Sequence, residues 1–168
     1  MESLTIPGDA KIERISGGWR LLSLTEDGDI TWQRVGDQIL VTVQKSGYQN
    51  HLIIRPSARR VRFDFLIDQA RCSGEAAYQD VEKLMIRQLK RLHPIQLPWA
   101  EQLLPKLREN KEVKTTLKSW LKDSKVRAAK PKDPYGKYCA WACKCCSVSH
   151  GVLFWCCVSC VTCDALNS

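Results

Sequence analysis

The sequence has little histidine and lacks a glycine-rich phosphate-binding loop. Its three histidines, His51, His93 and His150, stand far apart in the chain. Enzymes that use histidine hold it in short motifs beside a nucleophile, a carboxylate or a second metal ligand, and none of the three stands in such a motif. We therefore predict a protein that is not an enzyme, with no catalytic residue to name. A redox-active dithiol is the exception, because it needs no histidine.

The N-terminus lacks the features of a secretory signal. Residues 1–9 contain neither a basic segment nor the apolar segment that would follow it. This absence predicts an intracellular protein in a reducing compartment, where disulfides are disfavoured. In that compartment a dense cysteine cluster is expected to bind metal, to act in redox chemistry or to be modified.

Length and charge limit what remains. The chain has 168 residues, of which 44% are hydrophobic and 26% charged, and this composition is typical of one folded domain with an appendage. The net charge of +8 resides entirely in residues 76–168. That half is therefore expected to approach an anionic membrane surface or, alternatively, a nucleic acid.

The first part of the chain predicts an antiparallel meander of five or six strands between about residues 11 and 68. Apolar and polar residues alternate there, as at Val61, Phe63, Phe65 and Ile67, and turn residues recur at short intervals. Residues 19–24 and 30–34 flank a turn at Gly28 and are expected to pair. An unidentified protein partner is expected for this β-domain.

Helical periodicity follows the strands. Residues 76–92 predict an amphipathic helix that covers the sheet, with Ser73 as its N-terminal cap. Residues 99–122 predict a basic helix that is kinked or split at Pro105. The predicted fold is thus α+β: a globular domain of residues 1–124, a basic linker of residues 125–138 and a cysteine-rich tail of residues 139–168.

Lysines recur every three or four residues along the second predicted helix and continue into the linker. Such a stripe is either a solvated helix face or a surface that contacts anions. The residues predicted to bind an anionic surface are Lys111, Lys114, Lys118, Lys122, Lys125, Arg127, Lys130 and Lys132.

The tail holds eight of the nine cysteines. Several of them are separated by two residues, a spacing that lets two thiolates reach one tetrahedral zinc ion, with His150 as a further candidate ligand. Zinc is accordingly the cofactor in one interpretation of the tail. The residues predicted to carry either metal or lipid are Cys139, Cys143, Cys145, Cys146, Cys156, Cys157, Cys160 and Cys163.

Membrane attachment is the competing interpretation. Residues 145–163 contain no charged side chain over nineteen positions, which is borderline for a membrane-spanning segment. S-acylation of several cysteines beside the basic residues would provide stable attachment. We therefore predict an adaptor attached to an anionic membrane surface, with a zinc-dependent nucleic-acid-binding regulator as the alternative.

A third interpretation is a precursor whose C-terminal segment is covalently modified. Ser147, Ser149, Ser159 and Thr162 lie among the thiols, as the substrates of a dehydrating and crosslinking modification would. The sequence offers no further residue that decides among the three.

Overall fold

A computed structural model describes residues 2–122, 134–148 and 154–167 of the chain. Eight strands form one antiparallel sheet in which each strand pairs with the next along the chain. The strands are β1 (Ser3–Ile6), β2 (Ala10–Ile15), β3 (Gly18–Ser23), β4 (Asp29–Val35), β5 (Gln38–Lys45), β6 (Tyr48–Pro56), β7 (Arg60–Ile67) and β8 (Ala70–Ala77).

Five helices follow the sheet in the described part of the chain. They are α1 (Tyr78–Leu92), α2 (Pro98–Leu107), α3 (Lys111–Trp120), α4 (Pro134–Val148) and α5 (Phe154–Asn167). The α+β class and the antiparallel sheet are thus as predicted.

The sheet has more strands than the five or six that were predicted. β3 and β4 pair across the Gly28 turn as expected, with Trp19 opposite Trp32. The two additional strands, β1 and β8, lie outside residues 11–68 and form the two edges of the sheet. β8 pairs with β7 although its residues are small or polar, because main-chain hydrogen bonds need no apolar alternation.

Two details of the helices also differ from expectation. Ser73 lies within β8, where its hydroxyl donates a hydrogen bond to Asp64, and the residue before α1 is Ala77, which has no capping side chain. The predicted second helix is split, but Pro105 lies inside α2. The break falls at residues 108–110, where Asn110 caps α3 by accepting a hydrogen bond from the Val113 backbone amide at 3.1 Å.

The inner face of the sheet forms one wall of the core. Its side chains align across neighbouring strands, so that Trp32, Val41, Leu52 and Phe65 stand in one row. α1 packs mainly against β8 and to a smaller extent against β7, so the predicted covering of the sheet by this helix is matched in part. The rest of the core is filled by α5, whose residues 154–163 are all buried.

α5 contacts α2, α3 and α4, and its aromatic side chains reach the sheet. A helix that is buried on all sides needs apolar residues around its whole circumference. The charge-free run of the sequence supplies them. The division into a domain of residues 1–124, a linker of 125–138 and a tail stays a prediction, although α4 already begins at Pro134.

Candidate functional site

The cysteines of α4 and α5 form three disulfides arranged as a ladder. Its rungs are Cys139–Cys163, Cys143–Cys160 and Cys146–Cys157, with Cα–Cα distances of 5.7, 4.7 and 4.7 Å. These distances lie within the usual range for a disulfide, so the two helices present their cysteines without displacement of the backbone. We call the two helices with their three rungs the cysteine hairpin.

Helical spacing explains why the rungs align. Residues three or four apart in a helix lie on one face. Cys139, Cys143 and Cys146 therefore share one face of α4, and the three partner cysteines, each three residues from the next, share one face of α5. Because the helices are antiparallel, the first cysteine of α4 meets the last of α5.

Polar side chains fix how α5 is rotated about its axis. Trp19 Nε1 on β3 donates a hydrogen bond to Thr162 Oγ1 at 2.8 Å, and the Tyr138 hydroxyl of α4 lies 2.6 Å from Ser159 Oγ. All four side chains are buried. A buried polar group without a partner is costly, so these two bonds favour the one rotation that turns the cysteines of α5 toward α4.

Two further cysteines of the hairpin are thiols. Cys145 and Cys156 are buried beside the Cys146–Cys157 rung, and their side chains are hydrogen-bonded to each other. Burial, and then the contact with Cys145, raises the pKa of Cys156 well above its ordinary value. The raised pKa favours the protonated, unreactive form of the Cys156 thiol. The ninth cysteine, Cys72 of β8, is a half-buried thiol.

An ion pair stands at the middle rung. Arg108 Nε, just after α2, donates to Asp164 Oδ2 at 2.7 Å. The ligand atoms of Cys143, Cys160 and Asp164 all lie within 4.8 Å of one another. Two thiolates and a carboxylate fit the coordination of zinc. A sulfur in a disulfide does not serve as a thiolate ligand, so this set is available only in a reduced chain.

A surface cavity of about 460 Å³ opens beside the last rung. Burial raises the pKa of Glu101 in its wall, and Oε1 of that residue has no hydrogen-bond partner among the described residues. The Arg108 guanidinium reaches toward Ser147 Oγ, 3.5 Å from Nη1. The lining residues are Glu101, Gln102, Pro105, Arg108, Cys146, Ser147, Phe154 and Cys157.

The predicted site residues are thus brought together in part. Six of the eight tail cysteines are joined in pairs, and a sulfur in a disulfide is open to neither an acyl group nor a metal. The predictions of lipid or zinc therefore concern a reduced form and stay predictions. His150 lies outside the described residues.

The basic residues do not meet the cysteines in one described site. Lys111, Lys118 and Lys122 are exposed on or just after α3, and Lys114 is half-buried. Their role in binding an anionic surface stays a prediction. Lys125, Arg127, Lys130 and Lys132 lie outside the described residues.

Sequence reasoning missed the side chains that support the ladder. Trp19, Tyr138, Arg108 and Asp164 were not singled out, because their partners lie in other elements of the chain. One signal was present: the cysteine spacings of four and three residues in α4, and of three and three in α5, both place the thiols on one helix face.

No protein-family model, no curated protein and no solved structure matches this chain. Among the described helices, none combines the length and the apolar character needed to cross a membrane.

Proposed function

We propose that the protein is a carrier for its own cysteine-rich segment, in which the sheet and the first three helices enclose the cysteine hairpin while its disulfides form. In this proposal the cysteine hairpin carries out the protein's function, and the sheet and the first three helices serve its formation. The observation that carries this proposal is the confinement of every disulfide to residues 139–163. The proposal is a form of the precursor interpretation, with disulfide formation as the covalent modification.

Enclosure of the hairpin by the rest of the protein restricts which of its cysteines can pair. Eight thiols can be joined completely in 105 ways, and the native ladder leaves two of them reduced. The hydrogen bond from Trp19 of β3 to Thr162 selects one rotation of α5. The contact of Phe65 with Trp155, whose ring centroids are 5.9 Å apart, holds the first turn of α5 against the sheet. The surrounding protein thus supports one pairing.

In the described part of the chain no disulfide joins the hairpin to the enclosing elements, and this supports the same proposal. Cys72, the one cysteine outside the hairpin, forms no disulfide. The enclosing elements hold α5 by packing, hydrogen bonds and the Arg108–Asp164 ion pair. A cut in the backbone between residues 122 and 134 would therefore leave a hairpin that keeps its own crosslinks.

The order of cutting and oxidation tests the proposal. A protease site inserted within residues 123–133 of the full chain allows cutting either after or before oxidation. Oxidation first is expected to yield the three native rungs, retained by the hairpin after the cut. Cutting and denaturing first, followed by oxidation of the separated segment, is expected to yield mixed pairings. Equal yields of the native ladder by both routes would contradict a carrier role.

A zinc site in the reduced chain is a second candidate, favoured by the convergence of Cys143, Cys160 and Asp164. It is expected to bind zinc only after reduction, with Asp164→Asn weakening the binding about tenfold or more, by analogy with other ligand losses. Zinc titration of reduced and oxidised protein distinguishes this candidate from the carrier. Attachment to an anionic membrane stays a prediction without a structural observation in its favour.

A further inference from the structure

The three rungs differ in their access to solvent. Cys139 and Cys163 are 3% and 2% exposed, and the cavity borders neither of them. Both cysteines of the last rung line the cavity, with Cys146 half-buried and Cys157 5% exposed. Cys143 of the middle rung is also half-buried, but it does not line the cavity, so the last rung is the one that borders it.

The middle rung is shielded by charge. Asp164 Oδ1 lies 3.7 Å from Cys143 Sγ, and its Oδ2 lies 3.9 Å from Cys160 Sγ. A carboxylate at this distance opposes the approach and the departure of an anionic thiolate, although its ion pair with Arg108 offsets part of its charge. The last rung has no such contact among the described residues.

The wall of the cavity suits the chemistry of sulfur. Arg108 lines it, and although its Nε is paired with Asp164, its Nη1 is directed toward Ser147 Oγ on the cavity side and can donate to a thiolate that enters or leaves. Glu101 lines the same cavity, and burial raises the pKa of its carboxyl. The raised pKa lessens the negative charge that this carboxyl presents to an approaching thiolate.

We propose that the Cys146–Cys157 disulfide is an exchange site for a low-molecular-weight thiol that enters this cavity. The activity goes beyond the carrier role and does not depend on it. Cys146 is the sulfur attacked, because it is the more exposed of the two.

The reaction balances with thiol as the reductant and the rung as the oxidant. The incoming thiolate forms a bond to Cys146 Sγ, the bond between Cys146 and Cys157 breaks, and the electron pair leaves on Cys157, which takes up a proton. A second thiol then displaces Cys146 from the mixed disulfide. Two thiols thereby become one small-molecule disulfide, and the rung becomes two thiols.

Reduced glutathione is the probe for this site. The folded, oxidised full chain is exposed to it, quenched with acid at intervals, alkylated and mapped by mass spectrometry. Gln102→Trp fills the cavity from an exposed position on its wall, and Gln79→Trp makes the same change at an exposed position on α1. Circular dichroism verifies that both variants are folded, and the mapping of the unsubstituted chain stands without them.

We expect a glutathione adduct on Cys146 first, formed at least tenfold faster than on any cysteine of the other rungs. Gln102→Trp should slow this adduct at least tenfold, whereas Gln79→Trp should leave its rate unchanged. A first adduct on Cys157 or on another rung, simultaneous loss of all three rungs, or an unchanged rate in Gln102→Trp would overturn the proposal.

Discussion

The sheet and the cysteine hairpin bury their side chains in different ways. Strands β2 to β7 place alternate residues in the core, and on their other face buried carboxylates pair with more exposed arginines, as in Arg20–Asp29 and Arg55–Asp64 at 2.7 and 2.9 Å. α5 buries ten consecutive residues and carries half of every rung. The sheet is stabilised by packing and charge without a covalent crosslink, whereas the hairpin is crosslinked.

This difference indicates which part of the fold depends on which. A helix with no polar face has no stable place in water, so α5 requires the walls that surround it. The walls in turn have their inner face covered by α5. The disulfides hold α5 in register with α4. The strands of the sheet, which have one face toward solvent, are held without disulfides.

The largest expected effect on stability comes from removing the buried aromatic side chain of Trp155 in the first turn of α5. Trp155→Ala should lower the free energy of unfolding by about 4 kcal/mol, because the side chain is fully buried and leaves a cavity. Urea unfolding measures the loss. The control, Trp120→Ala on α3, removes a half-buried tryptophan and should cost roughly 1–2 kcal/mol. Equal losses of unfolding free energy in the two variants would contradict a central place for α5 in the core.

Removal of the outer rung should have a smaller effect. Replacing Cys139 and Cys163 together by alanine opens a loop closed across 24 residues, and we expect a loss of about 2–3 kcal/mol because the two inner rungs still restrain the chain. Thermal unfolding without reductant measures it. Cys72→Ala in the sheet should change stability much less, since that thiol crosslinks nothing. A larger effect at Cys72 would reverse the comparison between the two regions.

Acid should weaken the sheet through Asp64. The Ser73 hydroxyl, followed by Arg55 and Arg71, lowers the pKa of this carboxyl below its ordinary value. The folded state therefore binds the proton more weakly than the unfolded state, so the stabilisation is complete above roughly pH 5 and is lost as the pH falls below about 4. Asp64→Asn should cost about 2 kcal/mol at pH 7.

The stability of Asp64→Asn, measured by urea unfolding across pH 2–7, should approach that of the unsubstituted chain at the acid end. Asp164→Asn provides the comparison in the hairpin, where the half-exposed pair with Arg108 should contribute less than about 1 kcal/mol. A loss for Asp64→Asn that is constant across this range would exclude the charge of Asp64 as its cause.

The hydrogen bond that orients α5 should contribute about 1 kcal/mol. Thr162→Val removes the acceptor and leaves Trp19 Nε1 without its partner, while Trp19→Phe removes the donor. A double-mutant cycle isolates the coupling between them, which should be positive. Mapping the disulfides of Thr162→Val after refolding adds a second readout, because the rotation of α5 is less restricted. No coupling, together with unchanged pairing, would remove this bond from the explanation of the ladder.

The smallest effect on stability is expected from the lysines of α3. Neutralising Lys111, Lys114 and Lys122 to glutamine should change the free energy of unfolding by less than about 0.5 kcal/mol per substitution. If these residues contact anions, binding to anionic vesicles or to nucleic acid should weaken and lose part of its salt dependence. Binding that is indifferent to the substitutions would identify the stripe as a solvated face.

The sheet was the more predictable region because its evidence is local. Alternation around Phe63 and Phe65 and the turn at Gly28 specify strands and one pairing within a few residues. β8 escaped prediction because its small and polar residues have no such alternation, and only the β7 edge beside it makes it a strand. Ser73 shows the same effect, since its bond to Asp64 spans two strands.

The hairpin was less predictable because its pairing is a tertiary property. The run between Cys145 and Cys163 indicated an apolar environment, but a protein core and a membrane both satisfy that requirement. The expectation of a reducing compartment then placed metal and lipid ahead of disulfides. Choosing among thiol pairings requires the antiparallel packing of α4 on α5, which depends on Trp19 and Phe65 more than seventy residues earlier.

Disulfide mapping of the oxidised full chain, by mass spectrometry of unreduced peptides with thiols blocked at acid pH, tests the account most directly. It should show Cys139 joined to Cys163, Cys143 to Cys160 and Cys146 to Cys157, with Cys72, Cys145 and Cys156 as blocked thiols. A disulfide that includes any of those three cysteines, or a folded protein with nine thiols, would contradict it.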